Sequence, residues 1–195
     1  MVLVSQTELV QSAISGKVVS FPTDTVPALA VIPTQAALLY QVKQRPTSKP
    51  LILMAATWQD LTPYLQGTSA ELANWQQVAT TYFPGAVTLV LPASASVPQE
   101  MNPTKSGTIG IRIPDSAVAG KILQQTGAMA TTSANLSGSE TLVTTDAIAK
   151  VFPQVQILHD DFPHTSQGSG LPSTVVQWDQ KNWLVLRQGS VKFQA

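Results

Sequence analysis

Three cations, Lys43, Arg45 and Lys49, fall within seven residues of a chain that holds eleven lysines and arginines in all. Pro46 and Pro50 stiffen this segment and restrict where the cations point. Rigid cations beside the start of a strand suit the phosphates of a nucleotide. A helix ending near Lys43 and Arg45 would also favour them through its dipole, and that simpler reading stays open for the segment taken alone. A second polar island, Thr131-Thr132-Ser133-Ala134-Asn135-Leu136-Ser137-Gly138, follows an apolar run. Such a loop either aims N–H groups and hydroxyls at phosphate oxygens or makes a polar turn. In Phe21-Pro22-Thr23-Asp24-Thr25-Val26 two hydroxyls flank a carboxylate, as a ligand contact or as a locally capped turn. Arg112 stands among strand residues in Gly110-Ile111-Arg112-Ile113-Pro114. It must reach solvent or meet an anion, because a buried unpaired guanidinium is costly, and a carboxylate is its natural partner. Thr88, Ser173 and Arg187 sit in weaker turn-and-strand signals. Walker A, GxGxxG, GxSxG and HExxH patterns are all absent.

These residues need elements to hold them. Ser5 with Glu8 forms a capping box, and the helix it opens stops at Gly16. Strands are expected at Lys17–Phe21, Leu51–Ala55, Ala86–Leu91, Thr108–Ile113, Ala128–Thr131, Val155–Leu158, Ser173–Gln177 and Trp183–Arg187. Helices are expected over Gln35–Gln44 with Thr34 as cap, from Ser69 to about Tyr82, over Ser116–Gln125 and near Thr145–Val151. Thr57 with Asp60 resembles another cap. Ala93–Lys105 reads as a surface loop and Asp160–Pro172 as a longer, mobile one of the kind that closes over a site. Apolar strands among helices imply a sheet covered on both faces. The polar segments interrupt this pattern where strands end, which is where open α/β sheets bind ligands.

The composition narrows the function. The chain has 195 residues, long enough for one domain spanning 1–195 with a substantial core. Hydrophobic residues make up 44% and charged residues 11%, which excludes a disordered chain. Eleven cations balance eleven anions, so overall charge does not attract nucleic acid. The absence of cysteine removes disulfides, thiolate metal sites and cysteine nucleophiles, and two histidines make a histidine metal site improbable. The first residues lack the pattern of a signal peptide, and no apolar run of about 18 residues exists to span a membrane. A cytoplasmic protein, without membrane association, is therefore expected.

Taken in order, FPTDTVPAL, KQRPTSKPL, PGAVTLVL, GIRIP, SANLSG, STVV and RQG resemble the motif series of the YrdC-like threonylcarbamoyl-AMP synthase family. The likeness runs from about residue 17 to residue 191 and corresponds to the family's short form. It implies an α/β fold with a twisted, open, mixed or parallel sheet flanked by helices around a deep ligand cleft. It also implies that ATP, L-threonine and bicarbonate become threonylcarbamoyl-AMP and pyrophosphate, for proteins that modify tRNA beside the anticodon. By the same resemblance Lys43, Arg45, Ser133 and Asn135 form the nucleotide signature, with Lys43 and Arg45 serving catalysis. Lys49 and Arg187 are further nucleotide contacts. Arg112 is implied to meet the threonine carboxylate, and Thr25, Thr88 and Ser173 its ammonium or hydroxyl. Magnesium is expected with ATP, held by phosphates and water rather than by a protein cage.

One departure stands out. Where the family has Tyr-Gly, this chain has Pro27-Ala28, so a different backbone is expected beside Thr25. An RNA-binding module with weak affinity, or a member that binds nucleotide without turnover, are the competing expectations. A relative serving metalloenzyme maturation would carry a zinc finger, which a chain without cysteine cannot supply.

Overall fold

The computed structural model describes residues 2–159 and 168–194. In chain order the elements are β1 (Val2–Val4), α1 (Gln6–Ile14), β2 (Val19–Phe21), β3 (Ala28–Val31), α2 (Ala37–Lys43), β4 (Ile52–Met54), α3 (Trp58–Leu61) and α4 (Ser69–Tyr82). There follow β5 (Val87–Pro92), β6 (Thr108–Arg112), α5 (Ala117–Thr126), β7 (Met129–Ser133), α6 (Thr145–Val151), β8 (Gln156–Leu158), β9 (Thr174–Trp178) and β10 (Trp183–Arg187). Among the described residues the strands form one ten-stranded sheet, ordered β1-β8-β2-β3-β7-β4-β6-β5-β9-β10. It is mixed: β4 runs parallel to β6 and β5 to β9, whereas β7 runs antiparallel to both β3 and β4.

Local chemistry explains most boundaries. Ser5 and Glu8 make the expected reciprocal capping box, and Thr57 and Asp60 make another. The long α4 is capped by Thr68 with Glu71, one residue before the expected Ser69. Thr34 does not cap a helix. A 3-10 turn covers Pro33–Gln35, and α2 starts at Ala37 without a side-chain cap. Proline at the first position of that turn needs no N–H, which is why the chain tightens before the α-helix begins. Ala93–Lys105 is not wholly surface, since Met101 and Asn102 are buried. Two strands escaped the sequence reading, β1 and β3, each only three or four residues long.

The two faces of the sheet are covered unequally. Leu29, Val31, Leu53, Leu89, Ile109, Ile111 and Val176 pack in one large core with Leu39, Tyr40, Leu61 and Trp75. On the opposite face Val19, Phe21, Ala28, Ala30, Met54 and Met129 pack under α1 and α5, through Leu9, Val10, Ala13, Val118, Ile122 and Leu123. Register carries that face onward from Thr131 to Ile52, Gly110, Val90 and Gln177. There the pattern changes: Ile52, Val90 and Gln177 are only half-buried, and none of them packs against either core. The expectation of a sheet covered on both faces therefore holds for half of this face. Over β4, β6, β5 and β9 the cover is partial: Ile52, Val90 and Gln177 stay half-buried, while Met54, Thr88 and Arg112 on the same face are buried.

Candidate functional site

Two polar clusters rim that partly covered face. The first gathers on Lys43, the last residue of α2. Although 1% exposed, its Nζ donates to Thr132 Oγ1 at 3.0 Å, to Ser133 O at 2.5 Å, to Ser133 Oγ at 3.0 Å and to Asn135 Oδ1 at 2.8 Å. Ser133 Oγ also donates to Asn135 Oδ1 at 2.7 Å, and Asn135 Nδ2 donates to Ser139 O at 2.6 Å. The polar island expected as a loop thus begins inside β7. Its loop is held from below by one lysine, and Ser137 N adds a bond to Lys43 O at 3.2 Å.

Arg45 follows Gln44, whose left-handed backbone ends α2. Its Nε donates to Lys49 O at 3.0 Å and its Nη2 to Pro50 O at 2.9 Å, so the guanidinium closes the two-proline loop on itself. Arg45 is half-buried and Lys49 is exposed. Burial, and then the nearby Arg45 and Lys49, lower the Lys43 pKa to about 7. A bound polyphosphate would oppose that shift. The arrangement suits a multiply charged anion: one rigid buried cation, one half-buried guanidinium and one exposed lysine.

The second cluster gathers on Arg112, at the end of β6. Its Nη2 donates to Asp24 Oδ1 at 2.6 Å, its Nη1 to Thr25 Oγ1 at 2.8 Å and its Nε to Gly85 O at 3.0 Å. The side chains of this ion pair are 5% and 13% exposed for arginine and aspartate. Of the two fates left open for Arg112, solvent or an anion, the structure shows the second, and the anion is the chain's own Asp24. Burial weighs most against the Arg112 charge, Asp24 supports it, and Arg187 opposes it from nearby. Thr88 and Ser173 share a hydroxyl–hydroxyl bond of 2.9 Å. Arg187 reaches Ser173 O through Nη2 at 2.8 Å and Nε at 3.3 Å. Arg187 accordingly stands with Ser173 and Arg112, not with the Lys43 cluster.

Gly110 lies on the same partly covered face. A β-carbon there would lie 3.3 Å from Thr88 Cγ2 and 3.6 Å from Ile52 Cγ1, so any larger side chain would fill the space above the strands. Of the ten residues singled out by type and spacing, Lys43, Ser133 and Asn135 meet in the first cluster, Arg45 and Lys49 lie in the adjoining two-proline loop, and Thr25, Thr88, Arg112, Ser173 and Arg187 stand in the second. Asp24 was quoted but given no role, Thr132 was read as loop, and nothing marked Gly168.

The departure at Pro27-Ala28 is absorbed by the fold. Ala28 opens β3, paired with Phe21 on one side and Ser133 on the other. A strand's first residues tolerate proline. Pro27 O accepts from Ala134 N at 2.9 Å and so ties the two clusters together. The Thr23–Thr25 turn lies before this point, with Thr23 Oγ1 donating to Val26 O at 2.7 Å. Most of the expected closing loop, residues 160–167, lies outside the described residues. Its described end lies on the same turn, where Ser169 N donates to Asp24 O at 3.0 Å and Gly170 N to Thr25 O at 2.9 Å.

A separate, mostly apolar cavity of about 430 Å³ lies past the ends of β4 and β6, lined by Ala56, Thr57, Phe83, Ile113, Pro114 and Ala117 among others. None of the ten residues lines it. Among the described residues no three His, Cys, Asp or Glu side chains group to hold a metal ion, and no helix is long and apolar enough to cross a membrane.

Comparison with known proteins points one way. The Sua5/YciO/YrdC family profile, described as telomere recombination, matches residues 12–189. A threonylcarbamoyl-AMP synthase of Vibrio vulnificus is 36% identical over 145 residues, covering 72% of this chain and 77% of the relative. That of Vibrio campbellii is 30% identical over 181 residues, covering 90% and 94%. Among solved structures, P. abyssi Sua5 complexed with L-threonine superposes with a TM-score of 0.84 at 25% identity, covering 97% of this chain and 57% of Sua5. This chain therefore spans a little over half of that protein. E. coli YciO, at 23% identity and a TM-score of 0.81, shares the fold over 96% of this chain and 90% of its own.

Proposed function

Because the chain belongs to the Sua5/YciO/YrdC family, we propose that it is a threonylcarbamoyl-AMP synthase, joining ATP, L-threonine and bicarbonate with release of pyrophosphate. The observation that carries this reading is the pair of polar clusters toward opposite ends of the paired strands β7, β4 and β6. One is cationic and rich in hydroxyls, and the other holds an arginine between a carboxylate and hydroxyls.

In this reading Lys43, Arg45 and Lys49 take the phosphates of ATP, with Ser133 and Asn135 on the same oxygens. Arg187 neutralises charge from the other rim. Arg112 spends Nε on Gly85 and one hydrogen of each terminal nitrogen on Thr25 and Asp24. The remaining hydrogens serve the threonine carboxylate. Thr25, Thr88 and Ser173 lie within reach of its polar groups. The amine, once deprotonated, takes up carbon dioxide with loss of a second proton, or bicarbonate with loss of water, to give a carbamate, whose oxygen attacks the α-phosphorus and displaces pyrophosphate. No protein nucleophile is required, so positioning and charge neutralisation supply the catalysis. Magnesium would come with the nucleotide, on phosphate oxygens and water. Asp24, the acid of the site, gives one oxygen, Oδ1, to Arg112.

The product would pass, in the cytoplasm, to proteins that modify tRNA. Against a degenerate member stands the Thr25 turn, which lies before Pro27-Ala28 and is bonded to Arg112. A salt-dependent gel shift would test the weak RNA contact.

The function is tested by incubating the protein with ATP, Mg²⁺, bicarbonate and labelled L-threonine, following pyrophosphate and labelled adenylate together. Both products should require threonine and bicarbonate. Arg45→Ala should lose about 100-fold or more, the typical effect of removing one preorganised charge or donor. ATP binding without threonine-dependent pyrophosphate would overturn the assignment.

A further inference from the structure

Resting on the reading just given, we propose that Asp24 receives the amino group of the α-amino acid, so that the Asp24–Arg112 pair reads both charged ends of the substrate. Asp24 Oδ1 accepts from Arg112, while among the described residues nothing engages Oδ2. The Asp24 side chain keeps 13% of its surface exposed, against 5% for that of Arg112. The cluster contains two guanidiniums, Arg112 and Arg187, close enough to repel, and one carboxylate paired to Arg112. A zwitterion fits this balance among the described residues: its carboxylate adds a second anion, and its ammonium falls beside the carboxylate of Asp24.

The hydroxyls are weaker candidates for the ammonium. Thr25 Oγ1 already accepts from Arg112, and Thr88 and Ser173 hold each other. A carboxylate is the stronger partner for an ammonium.

Asp24 is also held in place before any ligand arrives. Its carbonyl accepts from Ser169 N, and Thr25 O accepts from Gly170 N. Gly168 lies against the same turn so closely that a β-carbon would meet Thr25 O at 2.3 Å and Thr23 O at 2.5 Å. The backbone of the turn is thus clamped from outside, and the Asp24 side chain is clamped by Arg112 from inside. A fixed acceptor loses little freedom when it binds.

The alternative is that Asp24 serves only as counter-ion to Arg112. A cycle crossing protein and ligand separates the two. L-Threonine and 3-hydroxybutyrate, which lacks the amino group, are titrated by calorimetry against the native protein and Asp24→Asn, each folded as judged by thermal melting. Native protein should prefer threonine. In Asp24→Asn that preference should fall about 10- to 100-fold, the usual loss for a hydrogen bond to a charged group, while 3-hydroxybutyrate and ATP bind as before. Equal weakening of both acids would show that Asp24 acts only through Arg112 and would overturn the proposal, as would an unchanged preference. If native protein binds no α-amino acid, the synthase reading falls with it. If native protein binds threonine and only the preference fails to move, the synthase reading stands and this inference alone is lost. Should Asp24→Asn not fold, Asp24→Ser is read against the same pair of ligands.

Discussion

Lys43 is surrounded by four oxygen acceptors, and a neutral amine has only two hydrogens to give, so the surroundings suit the ammonium. Burial and the neighbouring cations still lower its pKa to about 7. The folded pKa lies below the unfolded one, so folded protein binds fewer protons between about 7 and 10.5, and this group makes stability rise with pH across that window. A polyphosphate restores the charged form, so nucleotide binding near pH 8 should take up about one proton. Calorimetry in two buffers of different ionisation heat measures that uptake. Lys43→Met should abolish it and weaken ATP, and zero uptake by native protein would mean the lysine stays charged throughout. At this scale the sequence was legible where polarity was out of place. Three cations in a chain poor in charge, and an arginine inside a strand, both announced themselves. The pairing of Arg112 with Asp24 was not legible, because the two lie 88 residues apart and neither local pattern names the other.

Helices declared themselves through their caps, and strands only when long. Ser5 with Glu8 and Thr57 with Asp60 could be read directly, because a cap is a contact between neighbours. β1 and β3 were missed because three or four residues show no usable period, and β3 directly follows a proline that argues for a turn. Ser116 belongs to the legible kind. Its hydroxyl accepts from Ala119 N at 3.3 Å and starts α5, which roofs half of one sheet face. Ser116→Ala should cost about 1 kcal/mol in urea unfolding, the usual value of such a cap. Because Ser116 touches neither polar cluster, threonine and ATP affinity should not move. A loss of binding would mean that α5 positions the clusters as well as roofing the sheet.

Across the whole molecule, the strand order and the partly covered face could not be read from the chain. Both depend on which distant strands pair, and one sequence read alone carries no record of that. The class of fold followed from alternating apolar segments and from the motif series. The far edge is fastened by the last residues described. Phe193 stacks on Tyr82 with ring centroids 4.7 Å apart, and Tyr82 Oη both donates to Gln194 O and accepts from Gln194 N. Thr174 Oγ1 donates to Val191 O, fixing the start of β9 beside Ser173. Phe193→Ala should therefore lower stability by about 1 kcal/mol in urea, a typical value for such an aromatic pair. An unchanged midpoint would show that the tail is not part of the folded unit.

The contacts that build the two rims have one more property in common. Lys43 to Ser133 spans 90 residues, Asp24 to Arg112 spans 88, and Thr88 to Ser173 spans 85. Each closes a long loop, a slow kind of contact to find during folding. A chain still being made on the ribosome can complete the phosphate rim once residue 135 is clear, yet it has no Ser173 or Arg187 to finish the other. Until those residues emerge, the growing chain carries one rim without its counterpart.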